Sequence, residues 1–192
     1  MLTADELWLL SFYRTSEIAG ALFFGRLARI LKPGPMQCDM TQHFADEAQH
    51  AALWTNCIRE LDAQPLKLRN SYQEAYLDAA GLPANVMEVL SITHAFERRV
   101  ALQYSRHERA VEAIHPEVAV TLRRIIDDER WHLTWVRNAL KDLEPRYGAE
   151  RVKQTMARHI EADRIVFEEL VNEHEERLAA LGLAPDNPKE TW

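Results

Sequence analysis

The chain carries two closely similar phrases, DEAQH at residues 46–50 and DERWH at residues 128–132. On a helix, residues three apart share a face. Glu47 and His50 can therefore offer a carboxylate oxygen and an imidazole nitrogen to one metal ion, and so can Glu129 and His132. A single Glu-x-x-His is weak evidence, because glutamate is common. Glu112 and His115 have the same spacing, but that pair runs into Pro116 and reads as surface.

Two features set the first two pairs apart. Glu47 falls in helical register with Met40, Phe44, Trp54 and Ile58, and Glu129 with Leu122, Ile125, Ile126, Leu133 and Val136. A carboxylate on an apolar stripe is costly to bury unless a cation or hydrogen bonds compensate it. Each motif also has a matching inward glutamate on a neighbouring segment. Glu17 is in line with Leu10, Tyr13, Ala21, Phe24 and Ala28, and Glu97 with Leu90, Thr93, Val100, Ala101 and Tyr104.

Counting from the turns places all four at similar depth. Glu17 precedes Gly34 by 17 residues and Glu47 follows it by 13, while Glu97 precedes His115 by 18 and Glu129 follows it by 14. Glu6 would sit roughly 16 Å farther along the axis than Glu17, and it reads instead as the partner of Thr3 in a capping box. Four carboxylates and two imidazoles suit a pair of divalent first-row metals, with formal neutrality between four negative charges and two doubly charged ions. Asp46 and Asp128 are candidates for orienting a ligating histidine through its other nitrogen.

The elements that must position these residues are long helices. The first runs from the Thr3 cap to about Leu31, where Lys32-Pro33-Gly34-Pro35 breaks it, and the second from about Met36 to Leu61. A looser connection from Asp62 to Pro83 holds a short helix around Tyr72–Ala80. A third helix spans about Ala84 to Ile114. A fourth starts at Pro116 and ends near Pro145 and Gly148, and a fifth runs from about Ala149 to Leu181. Short proline-bearing turns make antiparallel neighbours, so the expected fold is all-α: an antiparallel four-helix bundle with an additional C-terminal helix. That fifth helix either covers the bundle or forms an oligomer contact. A single domain is expected over residues 1–182, with 183–192 a flexible tail.

Composition narrows the function classes. Among 192 residues, 47% are hydrophobic, enough for one core, and the net charge of −7 argues against nucleic-acid partners. No stretch has the roughly 18 apolar residues of a membrane span, and MLTADELWLL lacks the form of a secretion signal. The expected address is cytoplasmic, without a membrane partner. Cys38 and Cys57 fall on one helix about 28 Å apart, too far for a disulfide. With neither a CxxC nor a Cys-rich tract, there is no sign of a fused electron-transfer module.

Taken together, Glu17, Glu47-x-x-His50, Glu97 and Glu129-x-x-His132 resemble the ligand pattern of the ferritin-like di-iron carboxylate superfamily, over roughly residues 6–143. The resemblance implies a ferritin-like bundle holding two iron ions, or a manganese–iron pair. It implies dioxygen or peroxide and an organic small molecule as substrates, an external electron donor, and an assembly compatible with a homodimer. Glu47 and Glu129 would bridge the metals, Glu17 and Glu97 would be terminal, and Tyr104 would stand beside the site.

Rubrerythrin-type peroxidases carry a further glutamate three residues after the third-helix ligand, where this chain has Val100. Ferritins usually carry one Glu-x-x-His rather than two. The expected function is thus a non-haem di-iron oxidase or oxygenase, with a ferroxidase or a rubrerythrin-like peroxidase as alternatives. Phe24, Phe44, Trp54, Val100 and Tyr104 are candidates for lining an apolar substrate pocket or for plain core.

Overall fold

The computed structural model describes residues 1–68, 72–170 and 172–182, and among these there is no strand. The described helical segments are, in order, α1 (Ala4–Ile30), α2 (Pro35–Glu60), α3 (Tyr72–Ala80), α4 (Val86–Val111), α5 (Pro116–Asp142), α6 (Glu144–Tyr147), α7 (Ala149–Leu170) and α8 (Asn172–Ala180). The tail expected over residues 183–192 lies outside the described residues. The region read as one fifth helix is helical over α7 and α8, with residue 171 between them outside the described residues, and the turn before it contains the extra short α6.

The helix ends follow from local chemistry. At the start of α1 the Thr3 hydroxyl accepts the Glu6 N–H at 3.2 Å and Glu6 accepts the Thr3 N–H at 2.7 Å. This reciprocal box satisfies two otherwise orphaned donors. Glu6 also meets His115 Nε2 at 3.1 Å, while Glu112 pairs with Arg123. The Glu112/His115 pair therefore points to two different partners. Pro35 and Pro116 open α2 and α5, where a missing N–H costs nothing. Asn85 caps α4 by accepting the Glu88 N–H at 3.1 Å.

Helices α1 and α2 form one long hairpin, α4 and α5 a second, and the hairpins meet where α2 packs on α5. The backbones of α1 and α4 stay farther apart, and large side chains fill the space between them: the rings of Tyr13 and Tyr104 lie 4.7 Å apart. Helix α7 packs along α4, and α3 lies against α7 and α1. The C-terminal segment thus covers the bundle. Both cysteines lie on α2 and are free thiols.

The core is divided along the bundle axis. At one end Leu10, Tyr13, Trp54, Ile58, Tyr104, Leu122 and Ile125 pack together. At the other end Phe24, Met40, Met87, Leu90, Trp135, Val136 and Leu140 do so. Along every one of the four long helices the inward glutamates fall between these clusters. Each apolar end contributes roughly 1.5–3 kcal/mol per large side chain buried, and both exclude water from the polar layer between them. No described helix is long and apolar enough to cross a membrane.

Candidate metal centre

The polar layer is built from one glutamate per helix: Glu17 on α1, Glu47 on α2, Glu97 on α4 and Glu129 on α5. Their exposures are 3, 5, 3 and 0%, and His50 and His132 are fully buried. The helical hairpins bring all six together, because each residue lies at nearly the same distance from its turn. Among the described residues, no lysine or arginine pairs with any of the four carboxylates.

The donors fall into two overlapping groups, within each of which the candidate atoms all lie within 4.8 Å of one another. One is Glu17, Glu47, His50 and Glu129; the other is His43, Glu47, Glu97 and His132. Glu47 belongs to both. Glu129 faces both histidines, with Oε1 3.3 Å from His50 Nδ1 and Oε2 3.1 Å from His132 Nδ1. Despite that proximity, neither His50 Nδ1 nor Glu129 Oε1 has a hydrogen-bond partner. Buried donor atoms that converge without an aligned hydrogen bond between them form a set that a cation can occupy.

The outer nitrogens of the histidines are held by the aspartates, in a crossed arrangement. His50 Nε2 lies 3.1 Å from Asp128, and His132 Nε2 lies 3.3 Å from Asp46. A proton on each Nε2 leaves Nδ1 for the interior, the tautomer a metal needs. Tyr104 donates its hydroxyl to Glu17 Oε1.

Backbone space is also shaped for the site. A Cβ built on Gly20 of α1 would come within 2.1 Å of Glu47 Oε2. Only glycine at this helical position leaves the Glu47 carboxylate its place.

Electrostatics reflects the crowding of acids. Burial, then repulsion from Glu17, Glu97 and Glu129, raises Glu47 well above the usual carboxylate range. Burial and Glu97 push Glu129 up to about 7. Burial alone would lower His50, but the facing carboxylates of Glu129 and Glu17 outweigh it and push the imidazole up to about 12. His132 is raised for the same kind of reason, with Asp46 and Glu129 opposing burial. Burial opposes the ionised form of Glu97, yet the neighbouring His43 and His132 hold its carboxyl well below the ordinary value.

One residue here escaped the sequence reading. His43 is fully buried, with Nε2 3.0 Å from Glu97 Oε1 and 3.3 Å from Glu47 Oε1. The inward stripe of α2 runs through Met40, His43, Glu47, His50 and Trp54. Phe44, which was expected on this stripe, is 38% exposed and rests against Gly25. The available signal was the spacing of three and four from Met40 to His43 to Glu47. A neighbouring phenylalanine masked it, because an apolar residue is the default choice for a buried face.

The aromatic candidates separate as well. A cavity of about 30 Å³ lies beside the site, between α1, α3, α4 and α7. Val100 and Tyr104 line it together with Tyr13, Ser16, Phe96 and Gln103. Phe24 and Trp54 are core instead, in the two apolar end clusters. Comparison of the chain with family models, with curated proteins and with solved structures finds no match.

Proposed function

We propose that Glu17, Glu47, His50, Glu97, Glu129 and His132 hold two divalent metal ions, that the bundle is of the ferritin-like kind, and that the chain is a non-haem di-iron oxidoreductase acting with dioxygen. The observation that carries this reading is the set of four buried carboxylates without a lysine or arginine partner, converging with His50 and His132 in two overlapping donor groups. A buried group of four acids is costly, and two doubly charged ions would neutralise it. An iron pair, when bound, supplies the redox chemistry with dioxygen as oxidant and an external donor of electrons.

The chain's own residues do the rest. His50 and His132 present Nδ1 inward because Asp128 and Asp46 occupy Nε2. Glu47 and Glu129 are placed to be shared, since each faces donors of both groups. Tyr104 holds a proton on its hydroxyl, directed at Glu17 Oε1. The apolar clusters above and below keep bulk water from the layer, which strengthens every electrostatic contact inside it.

The test is anaerobic reconstitution with Fe(II), followed by admission of dioxygen or hydrogen peroxide while absorption is recorded. The expected result is two irons per chain, loss of iron in Glu47→Ala and Glu129→Ala, and faster oxidation by dioxygen. Oxidation that is faster with peroxide selects a peroxidase, and a cage-like assembly laying down mineral selects a ferroxidase. A folded protein that binds no divalent metal overturns the reading.

A further inference from the structure

His43 sits inside the proposed centre with a ring nitrogen at the right distance to be a third histidine ligand. Two contacts argue against that role. The first is a hydrogen bond from Trp135 Nε1 to His43 Nδ1, at 3.3 Å and fully inside the core. Indole N–H can only donate, so His43 Nδ1 must keep its lone pair. In a neutral imidazole the proton then resides on Nε2, the atom that faces Glu97 and Glu47. An Nε2 that carries a proton has no lone pair for a metal.

The ring cannot escape by turning over. A flip about the Cβ–Cγ axis would set a C–H against the indole N–H and orphan that donor in an apolar cluster, which is costly. It would also place a carbon rather than a nitrogen against two carboxylates. Packing holds the ring as well. His43 is sandwiched between Phe24, with centroids 3.9 Å apart, and His132, with centroids 3.7 Å apart.

The second contact is that same His132 stack. The two imidazoles lie within 17° of parallel. A ligating lone pair lies in the plane of its ring, so an ion in the plane of His132 would stand well out of the plane of His43. Two stacked histidines are poor joint ligands of one ion.

We infer that His43 is a non-ligating positioning residue: Trp135 fixes it as the Nε2–H tautomer, which turns a neutral donor toward Glu97 and Glu47. Neither Glu97 nor Glu47 is aligned as a full hydrogen-bond partner of Nε2, so the proton is offered to the space between the two carboxylates. The inference rests on the metal-centre reading for its setting, but its chemistry is that of the Trp135–His43 contact alone.

The experiment is long-range proton–nitrogen correlation NMR on the full chain labelled with ¹⁵N-histidine, without metal and with Zn(II) as the probe. His43 is expected to show a protonated Nε2 and a bare Nδ1 in both states, while the Nδ1 signals of His50 and His132 shift on adding zinc. A His43 Nε2 that is bare, or that shifts with zinc as the two ligands do, overturns the inference. If zinc does not bind at all, the metal reading falls, and the metal-free spectrum still decides the tautomer.

Two variants extend the test. His43→Gln, which keeps an N–H donor near the same place, is expected to retain two zinc ions per chain. His43→Leu is expected to retain both with affinity lowered on the order of tenfold, and His43→Gln to recover most of that loss. Loss of one zinc per chain in His43→Gln overturns the inference.

Discussion

Asp128 stands on α5, yet its carboxylate meets Nε2 of His50, on α2, at 3.1 Å. The reciprocal contact joins Asp46 of α2 to His132 of α5 at 3.3 Å. Each DExxH phrase therefore supplies the aspartate that orients the histidine of the other. The two hairpins meet along α2 and α5, and the crossed pairs tie that seam together at the level of the buried acids.

The crossing makes a prediction that an uncrossed site would not. Asp128→Ala should lower zinc affinity at the His50 end by about 10- to 100-fold, and Asp46→Ala at the His132 end, since each loses the partner that sets the ligand's tautomer. Competition with a chromophoric chelator gives the affinities, and histidine NMR assigns each effect to a ring. If Asp128→Ala perturbs His132 and leaves His50 unchanged, the crossed arrangement is wrong.

The buried acids should also give the metal-free protein an unusual pH profile. Burial, followed by Glu97, pushes Glu129 up to about 7 from an ordinary value of 4.5. A carboxyl raised in this way favours the fold in its neutral form. That contribution is complete below the unfolded value and is lost as pH rises through the folded one. Glu129→Gln stays neutral throughout. The metal-free variant should therefore unfold at higher urea than wild type at a pH of about 8, with the difference vanishing toward about pH 5. The same variant should lose zinc, so that a substitution which stabilises the fold removes the ligand, as expected where a site holds strain.

Much of this was legible in sequence because depth along a helical hairpin can be counted. Glu17, Glu47, Glu97 and Glu129 occur at matched distances from their turns, and the fold brings them into one layer. The Thr3–Glu6 box and the two proline starts fixed helix ends for local reasons. What could not be read was rotation finer than one residue. Choosing Phe44 over His43 for the inward face turned α2 by about 100° at that point and hid a buried histidine. Nor could the placement of α7 be read, because its apolar stripe fits a bundle face or an oligomer contact equally well. The crossed aspartates were likewise out of reach. Sequence points to an acid beside each histidine motif, but which acid serves which ring depends on how α2 meets α5.

The placement of α7 rests on a different kind of buried charge. Arg99 of α4 pairs with Asp163 of α7, with Nε 3.0 Å from Oδ1, and Tyr72 donates to the same oxygen at 2.6 Å. The guanidinium lies 3.7 Å from the centre of the Phe167 ring. Removing either member breaks this buried ion pair, at a cost of about 3–5 kcal/mol. Asp163→Ala should therefore lower the urea midpoint sharply, whereas Arg99→Met with Asp163→Leu should recover most of the loss. Neither should change zinc stoichiometry in the folded protein, because none of the six proposed ligands lies on α7. A loss of zinc in the stable double variant would show that α7 takes part in the site.

Gly20 separates fold from site most cleanly. An added Cβ meets Glu47 Oε2 at 2.1 Å and Glu47 Cδ at 3.1 Å, and no backbone atom of α2 is among its close neighbours. The carboxylate is the end of a flexible side chain, so the helices need not part. Within α1, alanine in place of glycine also contributes about 1 kcal/mol of helix stability. Gly20→Ala should thus keep or raise the unfolding midpoint of the metal-free protein. It should also drive Glu47 from the position it shares between the two donor groups, weakening zinc binding by more than tenfold. Chelator competition and urea unfolding on the same sample read the two effects separately. A variant that binds two zinc ions as tightly as wild type would remove Glu47 from the proposed ligand set.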